Sequence, residues 1–121
     1  MITNFEVITA ELTDQELKLI PVLIAGFEKH TKENPIKAPE IVRKMNEYAF
    51  NKGWACRMTE VRLRKCVNYL RTTGRLPLIA TSDGYYCSND PEVIRSQIKS
   101  LRQRGQSIID CANGLSRFLP K

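Results

Sequence analysis

The stretch "MTEVRLRKCVNYLRTTGRLPLIATSDGYYC", residues 58–87, decides the fold. Its first half repeats apolar residues at helical spacing: Leu63, Cys66, Val67 and Leu70 fall on one stripe. Thr59 can cap this helix and Gly74 ends it. The second half changes period. "LPLIATS" is apolar and β-branched, Asp83-Gly84 suits a two-residue type I′ turn, and "YYCS" returns. A hairpin therefore follows directly on a helix. A two-stranded hairpin is marginal in water unless a further strand or a helix face supports it. The segment "NFEVITAEL", residues 4–12, is the expected third strand.

Working towards the N-terminus, "APEIVRKMNEYAFNKG" predicts a preceding helix, with Pro39 in its first turn and Gly53 as its stop. Ile41, Val42, Met45, Tyr48 and Ala49 share its apolar face. An earlier helix opens at "LTDQE". Thr13 and Glu16 have capping-box spacing, and Leu12 and Leu17 can flank them as a staple. Pro21 falls inside that helix, where a kink or break is expected. The order is helix, helix, helix, hairpin, with a helix-turn-helix pattern in the second and third helices.

Towards the C-terminus, Asp90-Pro91 starts a last helix running towards Leu119. Ile94, Ile98, Leu101, Gly105, Ile108, Ala112, Leu115 and Leu119 recur in alternating steps of four and three. That is a narrow seam of the coiled-coil kind. A helix of this length outruns a compact domain built from the rest of the chain. Either it breaks near Gly105 or Gly114, or its seam packs on a second chain. Dimerisation through Ile94, Ile98, Leu101, Ile108, Ala112, Leu115 and Leu119 is the favoured reading. The alternative is a core element folded back on the first helix.

Composition sets the class. The 121 residues are 42% hydrophobic and 26% charged, the mixture of a soluble globular protein. No apolar run is long enough for a membrane span, and the first residues lack a secretory pattern, so a cytoplasmic location is expected. The four cysteines, at 56, 66, 87 and 111, form no CxxC pair, and His30 is the lone histidine. Neither a metal site nor a cofactor is expected, and the thiols read as mostly buried packing groups. No nucleophile–base set or phosphate-binding glycine loop is present, so an enzyme is not expected.

The net charge of +6 is uneven. Residues 39–75 carry nine Lys/Arg against three Asp/Glu, a surplus of six that equals the whole excess. A localised basic surplus is the footprint of a polyanion binder. On the helix of residues 59–74, Val61, Lys65, Asn68 and Thr72 lie opposite the apolar stripe, flanked by Arg62, Arg64, Tyr69 and Arg71. Cationic and amide side chains suit the major groove, where they reach base edges. Lys65 and Asn68 are the expected base readers, with Arg57, Arg62, Arg64 and Arg71 as phosphate contacts and Thr59 at the helix N-terminus. A solvated helix face is the competing interpretation. Glu60, in the first turn of this helix, would be repelled by phosphate if it points outwards, and a hairpin without Lys or Arg in residues 76–89 argues against DNA contact through the hairpin tip.

The order "KAPEIVRKMNEYA", "MTEVRLRKCVNYLRTTG", "LPLIATSDGYYCSND", "PEVIRSQIKSLRQRGQSI" resembles small winged-helix DNA-binding proteins of bacteriophages and prophage-like elements. The similarity spans about residues 10–119, and its most specific part is the third helix with "LIATSDGYY". The resemblance implies a mainly α fold with a small β-hairpin: a winged helix-turn-helix domain over residues 1–90 and a C-terminal helical extension over 91–121. It also implies a double-stranded DNA partner and a role in transcriptional control or phage replication. A protein-interaction module on the same scaffold is the alternative.

Overall fold

The computed structural model describes residues 8–120. Its elements are α1 (Asp14–Phe27), α2 (Ala38–Lys52), α3 (Glu60–Thr72), β1 (Leu78–Thr81), β2 (Gly84–Cys87) and α4 (Pro91–Ser116). The protein is mainly helical with one small antiparallel hairpin. The chain divides into two units between Ser88 and Asn89. Among the described residues no helix is long and apolar enough to cross a membrane.

In the first unit three helices meet on one core. Leu19, Leu23 and Phe27 of α1, Ile41 and Met45 of α2, and Leu63, Cys66 and Leu70 of α3 are all buried in it. Truncating such a leucine to alanine typically costs about 3 kcal/mol, because the cavity closes only in part. Tyr48, expected on the apolar face of α2, instead lies 38% exposed and meets Trp54 edge-on at 5.5 Å. Helix α1 begins with the expected capping box: the Thr13 hydroxyl accepts from the Glu16 N–H, and Glu16 Oε1 accepts from the Thr13 N–H at 2.9 Å. It continues unbroken through Pro21, an exposed position where water can take up the carbonyl that the proline leaves unpaired.

Between α2 and α3 the chain has no regular structure, and one side chain replaces a backbone ladder. Asn46 Nδ2 donates to the Met58 carbonyl at 3.0 Å, and the Met58 N–H donates to Asn46 Oδ1 at 2.7 Å. This amide fixes the entry to α3. Gly53 ends α2 at φ 69°, in the left-handed region that costs glycine nothing. Thr59 caps α3 by accepting from the Arg62 N–H at 3.1 Å.

The hairpin differs from expectation in two ways. Thr81 pairs with Gly84, so the turn is Ser82-Asp83 and Gly84 belongs to β2. Among the described residues only glycines have positive φ, which rules out a type I′ turn at this position. The support for the hairpin comes from Ile36, immediately before α2. Ile36 and Tyr85 exchange two backbone hydrogen bonds, at 2.9 and 2.8 Å. The strand expected at residues 4–12 lies partly outside the described residues; residues 8–9 are helical. Phe27 packs on Tyr85 with ring centroids 5.8 Å apart, which ties α1 to the same sheet edge.

The second unit is dominated by α4. Asp90 caps it by accepting from the Glu92 N–H at 3.0 Å, and the helix runs 26 residues through Gly105 and Gly114 without a break. No residue of α4 is buried.

Candidate nucleic-acid interface

Helix α3 carries the residues of interest, and Glu16 of α1 determines which of them reach solvent. The Glu16 side chain is 4% exposed. Its Oε1 accepts from Lys65 Nζ at 2.6 Å, and its Oε2 accepts from Arg62 Nε at 2.8 Å. Arg62 also donates to the Arg57 carbonyl. One carboxylate thus caps its own helix and holds two cations of another. Burial alone pushes the Glu16 carboxyl up. Hydrogen bonds from Lys65, the Thr13 N–H and Arg62 outweigh that, and its pKa is lowered from 4.5 to about 2.

This corrects the expected reading face. Lys65, expected in solvent as a base reader, is buried, with a side chain 10% exposed and engaged by Glu16. Arg62, expected as a phosphate clamp, is held by the same carboxylate, its side chain 34% exposed. A helical wheel centred on the apolar stripe treats both flanks of that stripe alike. In the folded protein Glu16 of α1 covers the flank bearing Arg62 and reaches on to Lys65, expected opposite the stripe, so the solvent face turns towards Arg64 and Asn68.

Arg57, Thr59, Arg64 and Thr72 are exposed, and Val61, Asn68, Tyr69 and Arg71 are half-buried. Arg64, Asn68 and Arg71 follow one another at helical spacing on this face. Arg64 makes no ion pair among the described residues. Thr72 turns its hydroxyl back to the Asn68 carbonyl at 2.8 Å, so its donor is spent within the helix. Tyr69 packs against the core edge and accepts from Arg75 Nη1 at 3.5 Å. Arg75, exposed just beyond the helix, was not among the expected contact residues. Its signal was present in the sequence, since it is one of the nine cations of the basic segment.

The four thiols are unpaired: Cys56 and Cys66 are buried, Cys87 is half-buried and Cys111 is exposed. Among the described residues no three histidine, cysteine or carboxylate side chains cluster as metal ligands do. On α4, the expected seam lies open: Ile98 and Leu101 are about two-fifths exposed, and Ile108 and Leu115 about seven-tenths; Leu119, expected as its last member, is equally exposed but lies beyond the helix, which ends at Ser116. No family model, no curated protein and no solved structure matches this chain.

Proposed function

We propose that the first unit is a winged-helix module that binds double-stranded DNA, with α3 entering the major groove and the protein acting as a dimer through α4. The observation that carries this is the solvent face of α3, where Arg64 makes no ion pair among the described residues and stands beside Asn68. Arg64 suits guanine acceptors and Asn68 suits adenine. Arg57, Arg71 and Arg75 border this face and suit phosphates. The order of three helices and a hairpin, with Ile36 as a third strand position, supports the same reading. A role in transcriptional control or phage replication follows from the resemblance in sequence. A cytoplasmic location is part of the same proposal.

The test is anisotropy of a labelled random duplex across a salt series. Three phosphate-neutralising cations per chain, six in the dimer, imply a slope of about −5 in log affinity against log salt. Arg64→Glu should abolish binding while Trp54 fluorescence shows an unchanged unfolding midpoint. Lys65→Glu is unsuitable, because it sets a carboxylate against Glu16 and attacks the fold. Absence of binding at low salt, or full binding by Arg64→Glu, overturns the proposal. That outcome would favour a protein-interaction module, to which the acidic hairpin tip at Asp83 and the 85% exposed Phe50 are better suited.

A further inference from the structure

Helix α4 is a seven-turn amphipathic helix, ~39 Å long, with an apolar seam that nothing in its own unit covers. In heptad terms Ile98, Gly105 and Ala112 take the a positions of the helix, and Ile94, Leu101, Ile108 and Leu115 take the d positions. A helix of the same period follows such a seam over this length, and a second copy supplies one.

Two observations select its direction. The first is volume. In a parallel pair each position faces its own copy, so Gly105 meets Gly105 and Ala112 meets Ala112. Two adjacent a layers are then left nearly empty, a defect that costs stability. In an antiparallel pair a positions face d positions. One register sets Leu101 against Ala112, Gly105 against Ile108 and Ile98 against Leu115. Each small residue then receives a large one. Gly105 has no other reason to be glycine: its φ is not positive, and a Cβ there would meet nothing within 4 Å. Glycine in a helix interior costs about 1 kcal/mol relative to alanine, so a close approach from outside explains it.

The second observation is charge. Residues 91–104 carry Arg95, Lys99, Arg102 and Arg104 against Glu92, a net +3. Residues 105–120 carry Arg117 against Asp110, a net of zero. A parallel pair aligns the two basic halves, whereas an antiparallel pair sets each against a neutral half. In the register above, Arg102 of one copy also flanks Ile109 of the other, and Arg104 flanks Cys111. The arginine stems then cover apolar groups that the single chain leaves exposed.

We propose that α4 pairs antiparallel with α4 of a second copy, in the register that seats Ile108 over Gly105 and Leu101 over Ala112. This rests on self-association through α4 and is independent of DNA binding. The test uses the full chain. Sedimentation gives its mass. Arg104→Cys, oxidised by glutathione, should form a disulfide between residue 104 of one copy and native Cys111 of the other, located by peptide mass mapping. Leu101→Cys with Cys111→Ser should give no 101–101 disulfide, because the two positions stand ~16 Å apart along the antiparallel pair. Gly105→Leu should weaken the dimer about tenfold or more by overpacking the Ile108 layer. A 101–101 disulfide together with a dimer tightened by Gly105→Leu would mean a parallel pair, leaving self-association intact and overturning the orientation. A dimer with neither crosslink places the contact elsewhere. A monomer at tens of micromolar overturns both.

Discussion

Replacing Glu16 by glutamine isolates the charge of the α1–α3 contact. Glutamine has the same length and can keep the capping box, since its carbonyl still accepts from the Thr13 N–H. What it removes is the counterion of Lys65 and Arg62, held at 2.6 and 2.8 Å. Two routes give the cost. A carboxyl lowered from 4.5 to about 2 contributes about 3 kcal/mol at neutral pH, at ~1.4 kcal/mol per pH unit. Removing one partner of a buried ion pair independently costs about 3–5 kcal/mol. The pH dependence has a definite sign. The folded state holds Glu16 ionised, so the unfolded chain binds the proton first as pH falls. The stabilisation is complete above about pH 5 and fades towards pH 2. Urea unfolding followed by Trp54, the single tryptophan, reports on the first unit. The glutamine variant should be about 3 kcal/mol less stable at pH 7, and the gap should shrink by more than half by pH 3. A gap under about 1 kcal/mol at pH 7, or one that stays constant down to pH 3, would refute the argument that this charge joins α1 to α3.

Gly84→Ala should destabilise the first unit by about 3 kcal/mol, combining backbone strain with overpacking. Gly84 sits at φ 127°, and an added Cβ would lie 2.5 Å from the Ile36 carbonyl oxygen. Hydrogen exchange at the Ile36 and Tyr85 amides should accelerate, and unchanged protection there would count against the bridge. Burial, with the charge of Glu16 nearby, pushes the Cys66 thiol up to about 12, and burial beside Glu28 pushes Cys87 up to about 11. Iodoacetamide at pH 8 should therefore modify only Cys111 in the folded protein and all four cysteines in urea, as read by intact mass. Native labelling of Cys66 or Cys87 at the rate of Cys111 would contradict the placement of those side chains.

Much of the architecture follows from short-range signals. Thr13 with Glu16, Thr59 with the α3 amides, Gly53 at the end of α2 and Asp90 before Pro91 act within three or four residues, so a linear reading finds them. The seam of α4 is also local, since its period lies in one uninterrupted helix. The turn was displaced by one residue because tertiary contact overrode local preference. Asp83-Gly84 suits a turn by itself, but Gly84 is drawn into β2, where the Ile36 backbone approaches too closely for a Cβ. The support for the hairpin was missed for a related reason: a single bridging residue before a helix has no strand period to detect.

Local signals along the chain specify the helices, their caps, the two strands, the basic middle segment and the amphipathic terminal helix. Which side of α3 faces water depends on how the helices pack. Period identifies an apolar stripe but treats its two flanks alike, and the partner that distinguishes them, Glu16, lies 49 residues from Lys65. A carboxylate brought that far by folding engages the cation that the helical wheel sets opposite the stripe and leaves Arg64 and Asn68 on the solvent side.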